Sequence, residues 1–174
     1  MSQQTFDVDT FVFTSNIGMG GKGGRKFYYG IDKGCTREFK GYVSSLQAWC
    51  DSNTMRGLEV KMNDDSVKMF GNKSGIQTER FHLEGDKITS LKIWANRGFF
   101  SGRCGGFELT TATNRKFSVR APRIGDPYEP PKCSGLLVGV FGRSGSDIDC
   151  LGFALLRVDL VHRLFPSIPC QFHI

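Results

Sequence analysis

Short runs of alternating apolar and polar residues recur along the chain, separated by residues typical of turns. This period of two, together with enrichment in Val, Phe, Ile and Trp, predicts β-strands. Polar and glycine residues at 63–65, 84–86 and 113–114 predict hairpin turns. The one helix-like spacing falls at 158–165, so we predict an all-β domain. The predicted strands cover residues 11–14, 26–30, 58–62, 66–70, 80–83, 88–94, 107–111, 116–119 and 136–141.

The pattern also repeats weakly, about every 45 to 50 residues. SLQAW (45–49) recurs as SLKIW (90–94), and GLEV (57–60) recurs as GFEL (106–109) and GFAL (152–155). Three units of about four strands favour a three-sided prism over a propeller, which usually has four or more blades. Because the last unit is short of strands, we expect the N-terminal strands to complete it. That arrangement would bring residues 15–30 beside the C-terminal loop.

The composition is that of one folded domain. The chain has 174 residues, of which 39% are hydrophobic and 12% aromatic, and these values exclude general disorder. The formal net charge is +6 with scattered cations, which indicates a solvated surface with modest attraction to polyanions. No run of about 18 apolar residues occurs, so we expect no transmembrane segment. The start, MSQQTFDVDTFVF, lacks the basic and apolar regions of a secretory signal.

Metal and cofactor chemistry find little support in the sequence. The six cysteines permit fifteen complete pairings, and the sequence alone does not choose among them. There is no Cys-x-x-Cys, and the three histidines stand at no ligand spacing from one another or from a cysteine. We therefore expect no zinc site and no cofactor.

The stretch 15–30 contains six glycines and includes Gly18-x-Gly20-x-x-Gly23, the spacing of a dinucleotide-binding loop. That loop works only when a helix follows and directs its N-terminus at the phosphates. Here RKFYYG (25–30) follows, which reads as a strand, and Lys22 precedes a glycine rather than Ser or Thr. Nucleotide binding is therefore not expected, and neither is an Arg/Gly linker for RNA.

Near the other end, residues 142–146 approximate the hydrolase motif Gly-x-Ser-x-Gly, but the last position is Ser146. No strand-to-helix context follows, so serine catalysis is not expected. Asp147 and Asp149 stand too close together along one strand end to flank a glycosidic bond. We expect no enzyme.

The same segment has the parts of a sugar site. A hexose is held by a carboxylate that accepts from two hydroxyls and by backbone amides that donate to its oxygens. Gly145 would let the loop turn, Ser146 and Asp147 would present amides, and Asp149 would accept two bonds. The alternative is a plain hairpin turn in which Asp149 only caps backbone amides.

At these residues the sequence resembles the jacalin-related lectins. SGSDIDCLGF (144–153) is similar to the C-terminal Gly-x-x-x-Asp loop of that family, and GMGGKGGRKF (18–27) to its glycine-rich loop before an aromatic residue. The basic pair that follows the glycines is similar to that of the zymogen granule lectin. GRSGSDIDCLGF (142–153) and TSLKIWAN (89–96) are particularly similar to the lectin modules of fish aerolysin-like and natterin-like proteins. The resemblance covers roughly residues 10–156.

This resemblance implies a β-prism I fold of three four-stranded Greek-key sheets with pseudo-threefold symmetry. It places a lectin domain at 1–156 and a C-terminal tail at 157–174. The implied sugar site lies where the two loops meet. It comprises Gly23 and Gly24, with an amide donated by Gly24, together with Gly145, Ser146, Asp147 and Asp149. Galactose-preferring relatives need a free amino terminus at the glycine loop, so the uncut Gly24 implies mannose- or glucose-type ligands.

The loop 96–103 resembles the third loop that borders the site. The implied rim residues are Arg25, Lys26, Arg97, Phe99 and Phe100, and either phenylalanine would pack against a sugar face or belong to the core. The alternative function is a module that binds polyanions, either sulfated glycans or phosphoinositides, at the same rim through Arg25, Lys26, Lys22, Arg97 and Arg103. A lectin part of a pore-forming system is a further alternative. The chain lacks the long alternating Ser/Thr-rich segment that a membrane barrel needs, so pore formation by it alone is not expected.

The expected partners are mannose-type glycans or glycoproteins, with anionic glycans as the alternative, and no nucleic acid. The other two units lack a second Gly-x-x-x-Asp loop, so we expect one site per chain. One shallow site binds weakly, which leads us to expect a homo-oligomer. Without a signal sequence, we expect cytoplasmic synthesis with leaderless release to reach extracellular glycans.

Overall fold

The computed structural model describes residues 11–13, 19–32, 39–97, 102–131 and 133–156, and it contains no helix within these ranges. The strands are β1 (Phe11–Phe13), β2 (Met19–Gly20), β3 (Arg25–Tyr29), β4 (Val43–Cys50), β5 (Met55–Met62), β6 (Val67–Gly71), β7 (Ile76–Gln77), β8 (Phe81–His82), β9 (Ile88–Ala95), β10 (Cys104–Thr111), β11 (Lys116–Arg120), β12 (Leu137–Ser144) and β13 (Ile148–Leu156).

The strands form three sheets, each built around a long antiparallel hairpin. In the first sheet the hairpin β12–β13 is flanked by β3 on one edge and by β1 and β2 on the other. In the second, β4–β5 is flanked by β6 and by the short strands β7 and β8. In the third, β9–β10 is flanked by β11, and single bridges at Tyr128 and Ile124 continue the other edge along β9. The predicted three-sheet all-β prism is confirmed.

The N-terminal strands complete the sheet that holds the end of the chain. β3 runs antiparallel to β12, with Tyr29 opposite Val140 and Arg25 opposite Ser144. On the other edge, β2 pairs with β13. The expectation that residues 15–30 lie beside the C-terminal loop is therefore confirmed for residues 19–30.

The sequence repeats correspond to one position in each central hairpin, where a large aromatic residue faces a glycine. The residues that follow these glycines are Leu58, Phe107 and Phe153, and all three are fully buried. The shared position confirms that the weak echo along the sequence is a structural repeat. The cross-strand pairs are Trp49 with Gly57, Trp94 with Gly106, and Phe141 with Gly152.

The core fills the centre of the prism with aromatic and aliphatic side chains. The ring centroid of Phe107 lies 5.0 Å from that of Phe153 and 5.5 Å from that of Phe117. Each such fully buried side chain contributes about 1.5–3 kcal/mol through removal of apolar surface from water. The seam between the first and second sheets is closed by Phe27 stacked on Phe70 at 4.0 Å.

Four of the six cysteines lie in the described ranges, and of these Cys50, Cys104 and Cys150 are free thiols. Cys104 is buried at the centre with its Sγ 3.6 Å from Met55 Sδ. Burial raises the pKa of Cys104 to about 12 and that of Cys50 to about 11, so neither is a reactive thiolate at neutral pH. Cys35 and Cys170 fall outside the described residues.

The predicted hairpin turns at 63–65 and 113–114 are confirmed. The hairpin predicted at 84–86 is wrong, because this turn joins β8 of the second sheet to β9 of the third. All three turns contain a non-glycine residue with positive φ. These residues are Asp65 (66°), Glu84 (48°) and Asn114 (61°). The predicted strands omit β4 and β13, each of which is one half of a central hairpin, and the short strands β2 and β7. The helix-like spacing at 158–165 lies outside the described residues.

Candidate functional site

The two loops singled out in the sequence meet at one end of the first sheet. The loop 21–24 joins β2 to β3, and the turn 145–147 joins β12 to β13. A Cβ atom added to Gly23 would lie 2.8 Å from Asp149 Oδ1, and one added to Gly145 would lie 3.8 Å from Gly24 Cα. Gly24 has φ of +64°, and a Cβ there would collide with Asp149 Oδ2 and with the backbone of Ser144. The close approach of the two loops therefore requires bare backbone at Gly23 and Gly24.

Gly145 differs from the expectation. It is absent from the residues with positive φ, and a Cβ there would meet nothing nearer than 3.8 Å. The turn therefore does not need the backbone freedom of glycine at this position. An added Cβ would instead point into the gap between Gly24 and Asp149, where it would lie 3.9 Å from Asp149 Oδ2.

An arginine that the sequence reasoning did not include fixes the glycine loop. Arg143 Nε donates to the carbonyl oxygen of Gly23 at 2.8 Å, and Nη2 donates to that of Gly24 at 2.9 Å. On the other side, the Gly21 amide donates to the backbone oxygen of Asp149 at 2.7 Å. The loop is thus held by β12 and by β13. The sequence feature that could have identified Arg143 is its position two residues before Gly145.

Asp149 is half-buried beneath the glycine loop. Burial raises the pKa of its carboxyl above the usual value of 3.8, and the negative charge of Asp147 adds to this rise. The positive charges of Arg103 and Arg143 and a backbone hydrogen bond from Gly145 oppose the rise without cancelling it. A carboxylate in such a position is suited to accept hydrogen bonds from the hydroxyl groups of a ligand.

The side chain of Asp147 points away from this gap into the protein. It is 3% exposed and pairs with two arginines, Arg103 at Oδ2 and Arg56, whose Nη1 lies 2.8 Å from Oδ1. Within the described ranges Oδ1 has no hydrogen bond of good geometry, so the charge of Arg56 is its compensation. Only the backbone of Asp147 remains for a contact with a ligand. Arg56 was not identified from the sequence. Arg103 was expected only as a rim cation for polyanions, and it instead pairs with Asp147.

Ser146 stands at the exposed tip of the turn. Its carbonyl oxygen accepts a hydrogen bond from Asn72 Nδ2, and Asn72 Oδ1 accepts from the Ser74 amide at 2.8 Å. The loop 72–75 of the second sheet therefore supports the turn from below.

The predicted rim residues are placed less uniformly. Arg25 and Lys26 are exposed at the start of β3, next to the glycine loop. The side chain of Arg97 lies against a different segment, with Nη2 3.6 Å from Asp126 Oδ2. Phe99 and Phe100 fall outside the described residues. The third loop does reach the site, because a Cβ on Gly102 would lie 3.6 Å from Gly21 Cα.

Among the described residues, no three His, Cys, Asp or Glu side chains are grouped so that they could hold a metal ion. No helix in the described ranges is both long enough and apolar enough to cross a membrane.

The profile of the jacalin-like lectin domain matches residues 18–154, which include both loops and all the strands except β1 and the last two residues of β13. The chain belongs to the jacalin-like lectin family. No match is found among curated protein sequences.

Solved structures agree with this assignment. The lamprey immune protein is 26% identical and superposes with a TM-score of 0.69 over 90% of this chain and 46% of its own. The jacalin-like chain thus spans about half the length of that relative. A variant of Malaysian banana lectin is 22% identical with a TM-score of 0.68, over 84% of this chain and 98% of that one. A mannose-binding jacalin-related lectin from Ananas comosus is 17% identical with a TM-score of 0.65, over 84% and 98%. These two likenesses establish the β-prism fold of the family.

Proposed function

We propose that this jacalin-like domain is a non-catalytic lectin that binds mannose- or glucose-type glycans in the gap between Gly24 and Asp149. The observation that carries the proposal is the position of the Asp149 carboxylate, which lies against two glycines that have no side chain to cover it. This leaves a shallow gap with a carboxylate on one side and bare backbone on the other.

The chemistry of the gap suits a neutral polyol. In the proposal, Asp149 accepts hydrogen bonds from two adjacent hydroxyls, while the amides of Gly24, Ser146 and Asp147 donate to sugar oxygens. The Asp147 side chain has no direct role, because it is buried with its arginines. The relative from Ananas comosus is a mannose-binding lectin, which supports the same ligand class here.

We propose one site per chain and useful affinity only through several copies. A single shallow site with a few hydrogen bonds is expected to have a Kd of about 1 mM, or roughly −4 kcal/mol. Two or more sites on one assembly would raise the overall affinity without new contacts.

The test is a titration with methyl α-mannoside, with methyl α-galactoside as the comparison sugar, on the wild type and on Asp149→Ala. The expected result is saturable mannoside binding that disappears in the variant. Asp86→Asn is a matched control, because Asp86 is a half-buried carboxylate paired with Arg115 outside the site. Binding that survives Asp149→Ala would refute the site. Binding of sulfated glycans that falls steeply with salt would instead favour polyanion recognition.

A further inference from the structure

We infer that Asp147, Arg56 and Arg103 form a positioning cluster that holds the turn 145–147 in its ligand-binding geometry. The inference rests on the proposed function, since it assigns these three side chains to the support of the same sugar site. None of them would touch the ligand in this arrangement.

The three residues of the cluster come from three different sheets. Asp147 belongs to the turn of the first sheet, Arg56 to β5 of the second, and Arg103 directly precedes β10 of the third. Arg56 also lies 3.6 Å from Asp51 and donates to Ser74 Oγ at 3.1 Å, so it connects two loops of its own sheet as well. One buried carboxylate therefore ties all three sheets together at the end where the site lies.

The pseudo-threefold relation of the hairpins gives Asp149 an equivalent position in each of the other two sheets. Asp149 stands three residues before the glycine that faces Phe141, and the corresponding positions in the other sheets are Thr54 and Arg103. Thr54 is buried and its hydroxyl donates to the Cys104 carbonyl at 2.8 Å. Arg103 turns to Asp147. Two of the three equivalent positions thus carry supporting groups, and only the first sheet retains a carboxylate facing the gap.

The charge of the buried Asp147 carboxylate is compensated by the two arginines. A carboxylate that is 3% exposed is costly to bury unless opposite charges compensate it, and here both oxygens face a guanidinium. Because the two arginines approach from two different sheets, Asp147 pairs with both of them only when the turn 145–147 is in one position. The hydrogen bond from Asn72 Nδ2 to the Ser146 carbonyl oxygen also holds the peptide group between Ser146 and Asp147. Without the cluster, the tip of the turn would still be held by the bond from Asn72 to the Ser146 carbonyl and by the Gly145 amide, which donates to the Asp147 carbonyl and to the Asp149 carboxylate.

The cluster also sets the charge around Asp149. The charged and titratable groups that act on Asp149 are Arg103 and Arg143, which favour its ionised form, and Asp147, which disfavours it; the Cys150 thiol adjoins it in sequence. Loss of the Asp147 charge and loss of the Arg103 charge should therefore move the acid limit of sugar binding in opposite directions.

The experiment compares Asp147→Asn, Arg103→Met and Arg103→Lys with the wild type. The first readout needs no ligand and is the amide hydrogen exchange of residues 145–149. The second is the affinity for methyl α-mannoside as a function of pH. Asp147→Asn should speed amide exchange in the turn and let mannoside binding persist to lower pH. It should also weaken mannoside binding by about tenfold, the lower end of what loss of a supporting residue costs at metal sites. Arg103→Met should weaken binding and move its acid limit to higher pH, while Arg103→Lys should restore most of both.

Asp86→Asn is the matched control, because it removes the charge of another arginine-paired aspartate while leaving the turn untouched. It should lower the melting temperature without changing exchange in 145–149 or binding. The inference would be overturned if Asp147→Asn changed neither exchange in 145–149 nor binding, as expected for the control. It would also be overturned if Asp147→Asn and Arg103→Met moved the acid limit of binding in the same direction. If the wild type binds no mannoside, the proposed function fails, and exchange in the turn still decides whether the cluster positions it.

Discussion

Arg143 donates a hydrogen bond of 2.8 Å to the carbonyl oxygen of Gly23, a residue 120 positions earlier in the chain. The contact joins the last hairpin of the prism to the glycine loop. It explains how a loop of bare backbone, which is entropically costly to order, is held in one conformation.

We expect Arg143→Met to weaken mannoside binding about tenfold while the fold is retained. The two bonds of the guanidinium are made at an exposed surface, so their loss costs the fold little, with a hydrogen bond contributing about 0.5–1.5 kcal/mol. Calorimetric titration and thermal melting measure both effects. Arg143→Lys keeps the charge but not the paired geometry, and it should recover only part of the affinity. Equal affinity in wild type and Arg143→Met would show that the loop does not need this anchor.

Gly24→Ala and Gly145→Ala form an informative pair. Gly24 has φ of +64° and no room for a Cβ, so alanine there should lower both stability and binding. At Gly145 alanine fits the backbone, but its methyl group enters the gap beside Asp149. We therefore expect Gly145→Ala to keep the melting temperature and to lose mannoside affinity. Full binding by Gly145→Ala would place the ligand elsewhere.

Mannoside binding should weaken in acid at a higher pH than an ordinary aspartate would give. Burial raises the pKa of Asp149 above 3.8, and the protonated carboxyl accepts fewer hydroxyl bonds. The same shift means that the folded state holds more protons than the unfolded state between the two pKa values. The contribution of Asp149 to stability therefore falls as pH rises through that window and stays unfavourable at neutral pH.

The matching prediction is that Asp149→Asn loses binding at every pH and raises the melting temperature at neutral pH. Titrations and melts from pH 4 to pH 8, with Asp86→Asn as the control, measure this. The sign is opposite for Asp86, whose pKa is lowered by hydrogen bonds from Thr113, Thr111 and Arg115 despite its burial. A melting temperature that falls equally in both variants would contradict the account.

The seam between the second and third sheets offers a test of the pseudo-symmetry. Phe27 and Phe70 close the first seam, and the equivalent residues at the second are Ile76 and Val119, because they face equivalent positions of the hairpins. A cleft of about 400 Å³ opens there, and Ile76 is 80% exposed at its edge.

Val119→Phe should therefore raise stability by about 0.5–2 kcal/mol, as cavity-filling substitutions commonly do. Chemical denaturation measures the free energy of unfolding. Val67→Phe is the control, because Val67 is an exposed valine on another edge strand and its replacement fills no cleft. Destabilisation by Val119→Phe would show that the seam cannot accept the ring that its counterpart holds.

Much of this architecture follows from local patterns in the sequence. The parts that could not be predicted have one cause in common. The turns around Asp65 and Asn114 and most edge strands were predicted because their period and turn residues are local. β4 was not, since Ser44, Ser45 and Gln47 interrupt its apolar pattern. Ser45 and Gln47 accept hydrogen bonds from Arg80, a partner 35 residues from Ser45. β13 was missed because its nearly continuous apolar run, buried on both faces, shows no alternation.

Some residues of the candidate site could likewise be predicted from local motifs, and others could not. Gly24 and Asp149 were predicted from two short motifs, and the structure brings them together. Arg56 was not predicted, and Arg103 was expected at a polyanion-binding rim rather than on Asp147. Their pairing has no local pattern, because Asp147 lies far along the chain and belongs to another sheet. No sequence pattern indicates that the Asp147 side chain is buried.

The most direct test of the central claim is a titration of the wild-type protein with methyl α-mannoside, followed through the backbone amide resonances at 50 and 300 mM salt. The account predicts saturable shifts of the Gly24, Ser146 and Asp147 amides, an affinity that changes little with salt, and no shifts in Asp149→Ala. Shifts confined to other residues, or shifts that persist unchanged in Asp149→Ala, would contradict it.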